Sequence, residues 1–206
     1  MNKFLGYDSF LGTILGKAAD LLILNFLWVL CCIPVVTIIP ATSALYCVTI
    51  KMVNKEEPGI VRTFFRSFRG NLKQGIPLSL IFLFCGLVLI LDNAYYAALS
   101  TGGGKILRII SIIYAVCFFL ILTYVPPLQA RFENRILQTL KNALLIAIQN
   151  LGNTLLVIVI HIVPLAIGVI FPELFAQTLP IWIGFVPAFV AWVCTSGFLR
   201  VFKKYE

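Results

Sequence analysis

Apolar blocks of about 20 residues recur five or six times along this chain, each long enough to cross a hydrocarbon core of about 30 Å. That recurrence constrains the fold more than any other feature. A soluble domain could bury one such block inside a helical core. With 61% hydrophobic and only 12% charged residues, 206 residues cannot supply enough polar surface to cover all of them. Average soluble domains are about 45–50% apolar and about 25% charged. The expected fold class is therefore all-α, a polytopic transmembrane bundle of six membrane-entering helices with amphipathic interfacial helices between them. In lipid a helix satisfies its own backbone.

The most informative single stretch is Cys31-Cys32-Ile33-Pro34-Val35-Val36-Thr37-Ile38-Ile39-Pro40-Ala41-Thr42-Ser43-Ala44-Leu45-Tyr46. It carries no charge and holds two prolines. Proline removes a helical hydrogen bond and clashes with the preceding turn. The stretch reads as the turn of a helical hairpin near a membrane face. Span one is expected over about 18–38. Span two follows over about 41–54 and is short for a full crossing.

Beyond the hairpin, residues 59–74 read as a surface helix. Val61, Phe64, Phe65, Phe68 and Leu72 fall on one face, with Arg62, Arg66, Arg69 and Lys73 between them. An apolar stripe flanked by cations suits the headgroup region of an anionic leaflet. Phe64, Phe65, Arg66, Phe68 and Arg69 are the candidate lipid or partner contacts. Span three, about 76–99, places Pro77 in its first turn. Ser100 to Gly104 reads as a connector and not as a phosphate loop, since no Gly-Lys-Ser/Thr follows. Span four, about 106–125, is expected to be interrupted at Pro126-Pro127. Residues 131–149 read as a second surface helix, with Phe132, Ile136, Leu137, Leu140, Leu144 and Ile148 on its apolar side. Span five covers about 151–171 and span six about 179–199, with Pro187 inside it. A basic tail, 200–206, closes the chain.

The net charge of +8 does not point to nucleic acid, because the cations lie between apolar blocks. Cytoplasmic loops of membrane proteins collect Lys and Arg. Six spans leave only Lys105 and Arg108 of the 16 Lys and Arg on the outer side. A five-span alternative, with 18–54 as one kinked span, separates the charges less well. The six-span count puts both termini in the cytoplasm. The first apolar block shows no cleavage pattern and is expected to be retained. The whole chain reads as a single membrane domain, 1–206, made of three amphipathic-plus-apolar units: 1–54, 59–130 and 131–199. Asn25, Asn71 and Asn150 each stand near the start of an apolar segment, which suggests a weak threefold repetition.

Chemistry-bearing residues are few. His161 lies mid-span and can titrate near neutrality. The simpler reading is a neutral imidazole bonded to a neighbouring helix. Asp20 and Asn25 stand about a turn apart in span one, and Asp20 also suits the positive end of its helix. With His161 they are the candidate intramembrane polar residues. The six cysteines all lie in apolar segments and form no C-x-x-C pair, so they read as small hydrophobes. No nucleophile–base pair, paired carboxylates or metal set converges, so neither an enzyme nor a cofactor is expected. A small secondary transporter or channel is the alternative to a binding protein. Pro34, Pro40, Pro164 and Pro187 could break helices around a substrate, although polar groups along such a path are scarce.

The run Pro34-x-x-Thr37-x-x-Pro40-Ala41-Thr42-x-Ala44-Leu45-Tyr46 resembles the YesL-like family of uncharacterised membrane proteins, found mainly in Gram-positive bacteria. The opening Met1-Asn2-Lys3-Phe4-Leu5-Gly6-Tyr7-Asp8 and the helix Phe64-Phe65-x-x-Phe68-x-x-Asn71-x-Lys73-Gln74 are also similar to it. Where family members often have a glycine before the second proline, this chain has Ile39. The resemblance implies a plasma-membrane protein encoded near sugar-uptake ABC importers and polysaccharide-degrading enzymes. The expected partners are the lipid bilayer and membrane subunits of such an importer, with self-association into a homo-oligomer open to the same surfaces. It implies no catalytic residues.

Overall fold

A computed structural model describes residues 10–56, 59–98 and 102–205. The described chain is a helical bundle. Helix α1 (Phe10–Cys32) leads through a short 3-10 turn (Val35–Thr37) into α2 (Ile38–Val53). Then come α3 (Ile60–Ala98), α4 (Gly102–Arg131), α5 (Ile136–Gln149) and α6 (Leu151–Ile170). Two short helices, α7 (Pro172–Gln177) and α8 (Leu179–Gly184), precede α9 (Val186–Phe202). Among the described residues, five segments are long and apolar enough to cross a membrane: Gly12–Cys32, Val35–Val53, Ile60–Asp92, Ile106–Arg131 and Leu151–Gly168. The expected sixth span is broken into α8 and α9.

The proline-bounded stretch is a hairpin turn, as expected, and not the bend of one kinked span. The Thr37 hydroxyl donates to the carbonyls of Cys31 and Pro34, 2.6 Å from each. Its single hydrogen is shared between the Cys31 carbonyl, which the end of α1 leaves free, and the Pro34 carbonyl, which also accepts the Thr37 N–H at 2.9 Å. Across the hairpin the Trp28 indole N–H donates to Thr42 Oγ1 at 3.1 Å. Pro40 sits in the first turn of α2, where a missing N–H costs nothing. The Ile39 N–H, which has no partner within its own helix, donates to Ser79 Oγ of α3 at 3.2 Å.

Helix α2 is the central pillar. Ten of its residues from Ile39 to Ile50 are buried, and it packs against α1, α3, α4 and α9. With the preceding 3-10 turn it makes a segment, Val35–Val53, long enough to cross a membrane, where a short span was expected. Gly75 lets α3 approach: a Cβ there would lie 2.7 Å from Pro40 Cδ and 2.8 Å from Pro40 Cβ. One core draws on α1 to α6 and α9, including Leu24, Leu45, Phe64, Tyr124, Val157 and Phe198. Tyr46 and Tyr124 both meet the Phe198 ring edge-on.

Three expectations about helix ends are corrected. The surface helix 59–74 and span three are one continuous helix of 39 residues, about 58 Å long at 1.5 Å per residue. Pro77 lies in its interior. Likewise α4 runs through Pro126 and Pro127 to Arg131, where Tyr124 to Gln129 are all buried. Tertiary packing on both sides holds these prolines in helix despite the lost hydrogen bonds. Gly102 to Gly104, expected as connector, form the first turn of α4. Of the expected N-terminal amphipathic stretch, 1–9 lie outside the described residues, as do 57–58 and 99–101.

Candidate functional site

Asn25 is the centre of the polar interior. Its side chain is completely buried. The amide NH2 donates to the Ile183 carbonyl, and Oδ1 accepts the Ala188 N–H at 3.0 Å. Both partners belong to the break between α8 and α9. In an unbroken helix the Ile183 carbonyl would accept from residue 187, but that residue is Pro187 and has no N–H. The Ala188 N–H lacks a helical acceptor for a different reason, because it lies in the first turn of α9. One amide from α1 therefore supplies what the break removes. Its orientation is fixed, since a carbonyl only accepts and an N–H only donates.

Most of the remaining buried polar groups are also paired. Thr49 and Thr195 hydroxyls lie 2.8 Å apart, joining α2 to α9. Tyr124 OH and Thr154 Oγ1 lie 2.8 Å apart, joining α4 to α6. Thr154 also donates toward the carbonyls of Ala147 and Asn150, at 2.8 and 3.0 Å. Ser43 Oγ lies 3.0 Å from Gln129 Oε1. Gln129 Nε2 and Ser111 Oγ are the buried side-chain polar atoms left without a partner among the described residues.

The three residues singled out from sequence do not converge. His161 is exposed on α6, and its Nδ1 lies 2.8 Å from the Val157 carbonyl one turn back. Cys194 Sγ is 4.0 Å from the same nitrogen. The ring is thus held mainly by its own helix and not, as expected, by a neighbour. Asp20 is half-buried and is not a partner of Asn25. The three asparagines of the suggested repeat play different parts. Asn25 bridges the helix break, Asn71 bonds Ser67 within α3, and Asn150 joins the α5–α6 junction to Lys204 and Tyr205.

The aromatic stripe of α3 divides in two. Phe64 is fully buried and stacks on the partly buried Phe68, with ring centroids 6.2 Å apart. Phe64 is therefore a core residue and not a lipid or partner contact. Val61 and Phe65 stay exposed beside Arg62, Arg66 and Arg69, and together these five line a shallow groove. On α5 the buried face is Thr139, Ala143, Ile146 and Ala147, while Leu137 and Ile148 of the expected apolar side point outward.

Cations gather at one end of the bundle. Helices α2, α4 and α9 each carry a base in the last turn, Lys51, Arg131 and Arg200, where helix dipoles favour positive charge. Phe132 meets Phe202 edge-on, bringing the ends of α4 and α9 together. Lys51, Asn54 and Arg131 share an open pocket of about 410 Å³. Elsewhere a pocket of about 480 Å³ opens beside the helix break, lined by Trp28, Phe175, Trp182, Ile183 and Pro187 among others. Both indole N–H groups are satisfied internally, by Thr42 and Thr178, so its walls are almost wholly apolar. Among the described residues no three His, Cys, Asp or Glu side chains gather as metal ligands.

Residues 21–93 match the family model described as a protein of unknown function, DUF624. The match runs from α1 through most of α3 and includes the proline-bounded hairpin and the aromatic-basic helix. It is consistent with the YesL-like resemblance, which rests on those segments and on residues 1–8, outside the match. Neither the curated proteins nor the solved structures gave a match.

Proposed function

We propose that this chain is a non-enzymatic, multi-pass protein of a Gram-positive plasma membrane that serves a sugar ABC importer as an accessory partner. Both termini are placed in the cytoplasm, the side on which Lys and Arg accumulate. The observation that carries the reading is the split stripe of α3. Phe64 anchors the helix in the core, and Val61, Phe65, Arg62, Arg66 and Arg69 are left outward as a mixed apolar and basic ridge. Arg and aromatic residues are enriched where proteins meet. The link to sugar uptake comes from the family resemblance.

The rival reading, a small carrier, is favoured by the broken helix α8–α9, since carriers use such breaks to bind substrates. Here Asn25 already occupies the carbonyl and N–H that the break frees, which supports a structural break. The test is affinity purification from native membranes of the wild type and of Arg62→Glu/Arg66→Glu/Arg69→Glu. Importer membrane subunits should accompany the wild type and be lost from the variant. Recovery of no importer subunit with the wild type would sink the proposal.

A further inference from the structure

We propose that the groove between α3 and α5 holds the headgroup of an anionic phospholipid. The groove has a volume of about 630 Å³ and is lined by Lys73 and Gln74 of α3 and by Arg135, Ile136, Leu137 and Gln138 at the start of α5. Two cations from separate elements face one space, with two amides able to donate beside them. No acidic side chain lies on the wall; Glu133, two residues before Arg135, is not part of it. No side chain caps the first turn of α5, and no acidic residue stands in it, so its free N–H groups add positive potential. One turn earlier on α3, Arg69 extends the same charge toward Arg66.

The apolar part of the wall decides which anion fits. Leu137 is 82% exposed, next to a cation, on a chain whose spans are solvated by lipid. A free phosphate or a soluble phosphorylated metabolite would leave Leu137 unused. A phospholipid places its phosphate against Lys73 and Arg135 and the upper part of an acyl chain against Leu137. A zwitterionic headgroup carries its own cation into the groove and gains less. This inference does not rest on the importer reading, and its residues differ from those tested there.

The experiment uses the full chain, purified and delipidated in mild detergent. Binding of phosphatidylglycerol and of phosphatidylcholine is compared by native mass spectrometry. Phosphatidylglycerol should bind several-fold more tightly. Lys73→Gln and Arg135→Gln should each weaken it about fivefold, as expected for one juxtamembrane cation, while leaving phosphatidylcholine unchanged. Leu137→Gln should weaken it as well, and Arg108→Gln, on α4, should not. Inorganic phosphate at millimolar concentration should not compete. Both cations are exposed, and thermal unfolding by circular dichroism checks that each single variant folds like the wild type. Equal binding of the two lipids, undiminished binding by folded single variants, or displacement by inorganic phosphate would each overturn the proposal.

Discussion

Replacing Asn25 by leucine tests the account of the helix break most directly. Leucine has the branched skeleton of asparagine but is bulkier, so no cavity is left and the tight site adds some overpacking to the cost. It removes the donor to the Ile183 carbonyl and the acceptor for the Ala188 N–H. Both backbone groups then lose their side-chain partner, the Ala188 N–H in a buried site and the Ile183 carbonyl in a part-buried one. A buried group left unpaired costs about 1–3 kcal/mol, and side-chain hydrogen bonds inside membranes are worth about 0.6–1.7 kcal/mol. Asn25→Leu should therefore destabilise the fold by about 2–4 kcal/mol. Pro187→Ala restores an N–H at the position that would serve Ile183. In the Asn25→Leu background it should recover about 1 kcal/mol, and in the wild-type background it should recover nothing. Unfolding in mixed micelles with increasing dodecyl sulfate gives all four free energies of this cycle. Fluorescence reports locally, because Trp28 and Trp182 line the pocket beside the break. A cost for Asn25→Leu below about 0.5 kcal/mol, the range of ordinary surface changes, would refute the reasoning. So would strict additivity with Pro187→Ala, since coupled neighbours depart from additivity by more than about 0.5 kcal/mol.

Other substitutions probe the remaining contacts. Gly75→Ala should cost about 1–3 kcal/mol because the new methyl meets the rigid Pro40 ring. Gly70→Ala, on the same helix with nothing within 4 Å, should instead stabilise by about 0.5–1 kcal/mol, and the two melting midpoints should move in opposite directions. Tyr124→Phe removes the 2.8 Å bond to Thr154 and should cost about 0.5–1.5 kcal/mol in the same micelle titration. His161→Phe should stay within about 0.5 kcal/mol of the wild type, because the ring is exposed and bonds mainly its own helix. A larger loss would show that the imidazole serves a neighbour.

What could be read from the chain without coordinates was set by local chemistry. The turn at Pro34–Pro40 follows from two prolines and a threonine within a few residues, and it is where the hairpin bends. The basic ridge of α3 follows from helical spacing alone. The burial pattern was far less legible. Lipid tails are as apolar as leucine, so hydropathy does not separate a side chain facing lipid from one facing another helix. Leu24 is fully buried while Phe26, two residues on, is 64% exposed, and nothing in their polarity distinguishes them. The same ambiguity makes Phe64 read as a lipid or partner contact, although it is fully buried.

The sequence by itself determined the solvent, the helical class, the hairpin turn and the clustering of cations, because each depends on residues close together in the chain. Only the tertiary structure decided that α3 and α4 continue through their prolines, that Asn25 closes a helix break 158 residues away, and that Lys73 and Arg135 line one groove. Those outcomes depend on which helices pack side by side. Proline records a missing donor, but no local pattern records which distant side chain replaces it.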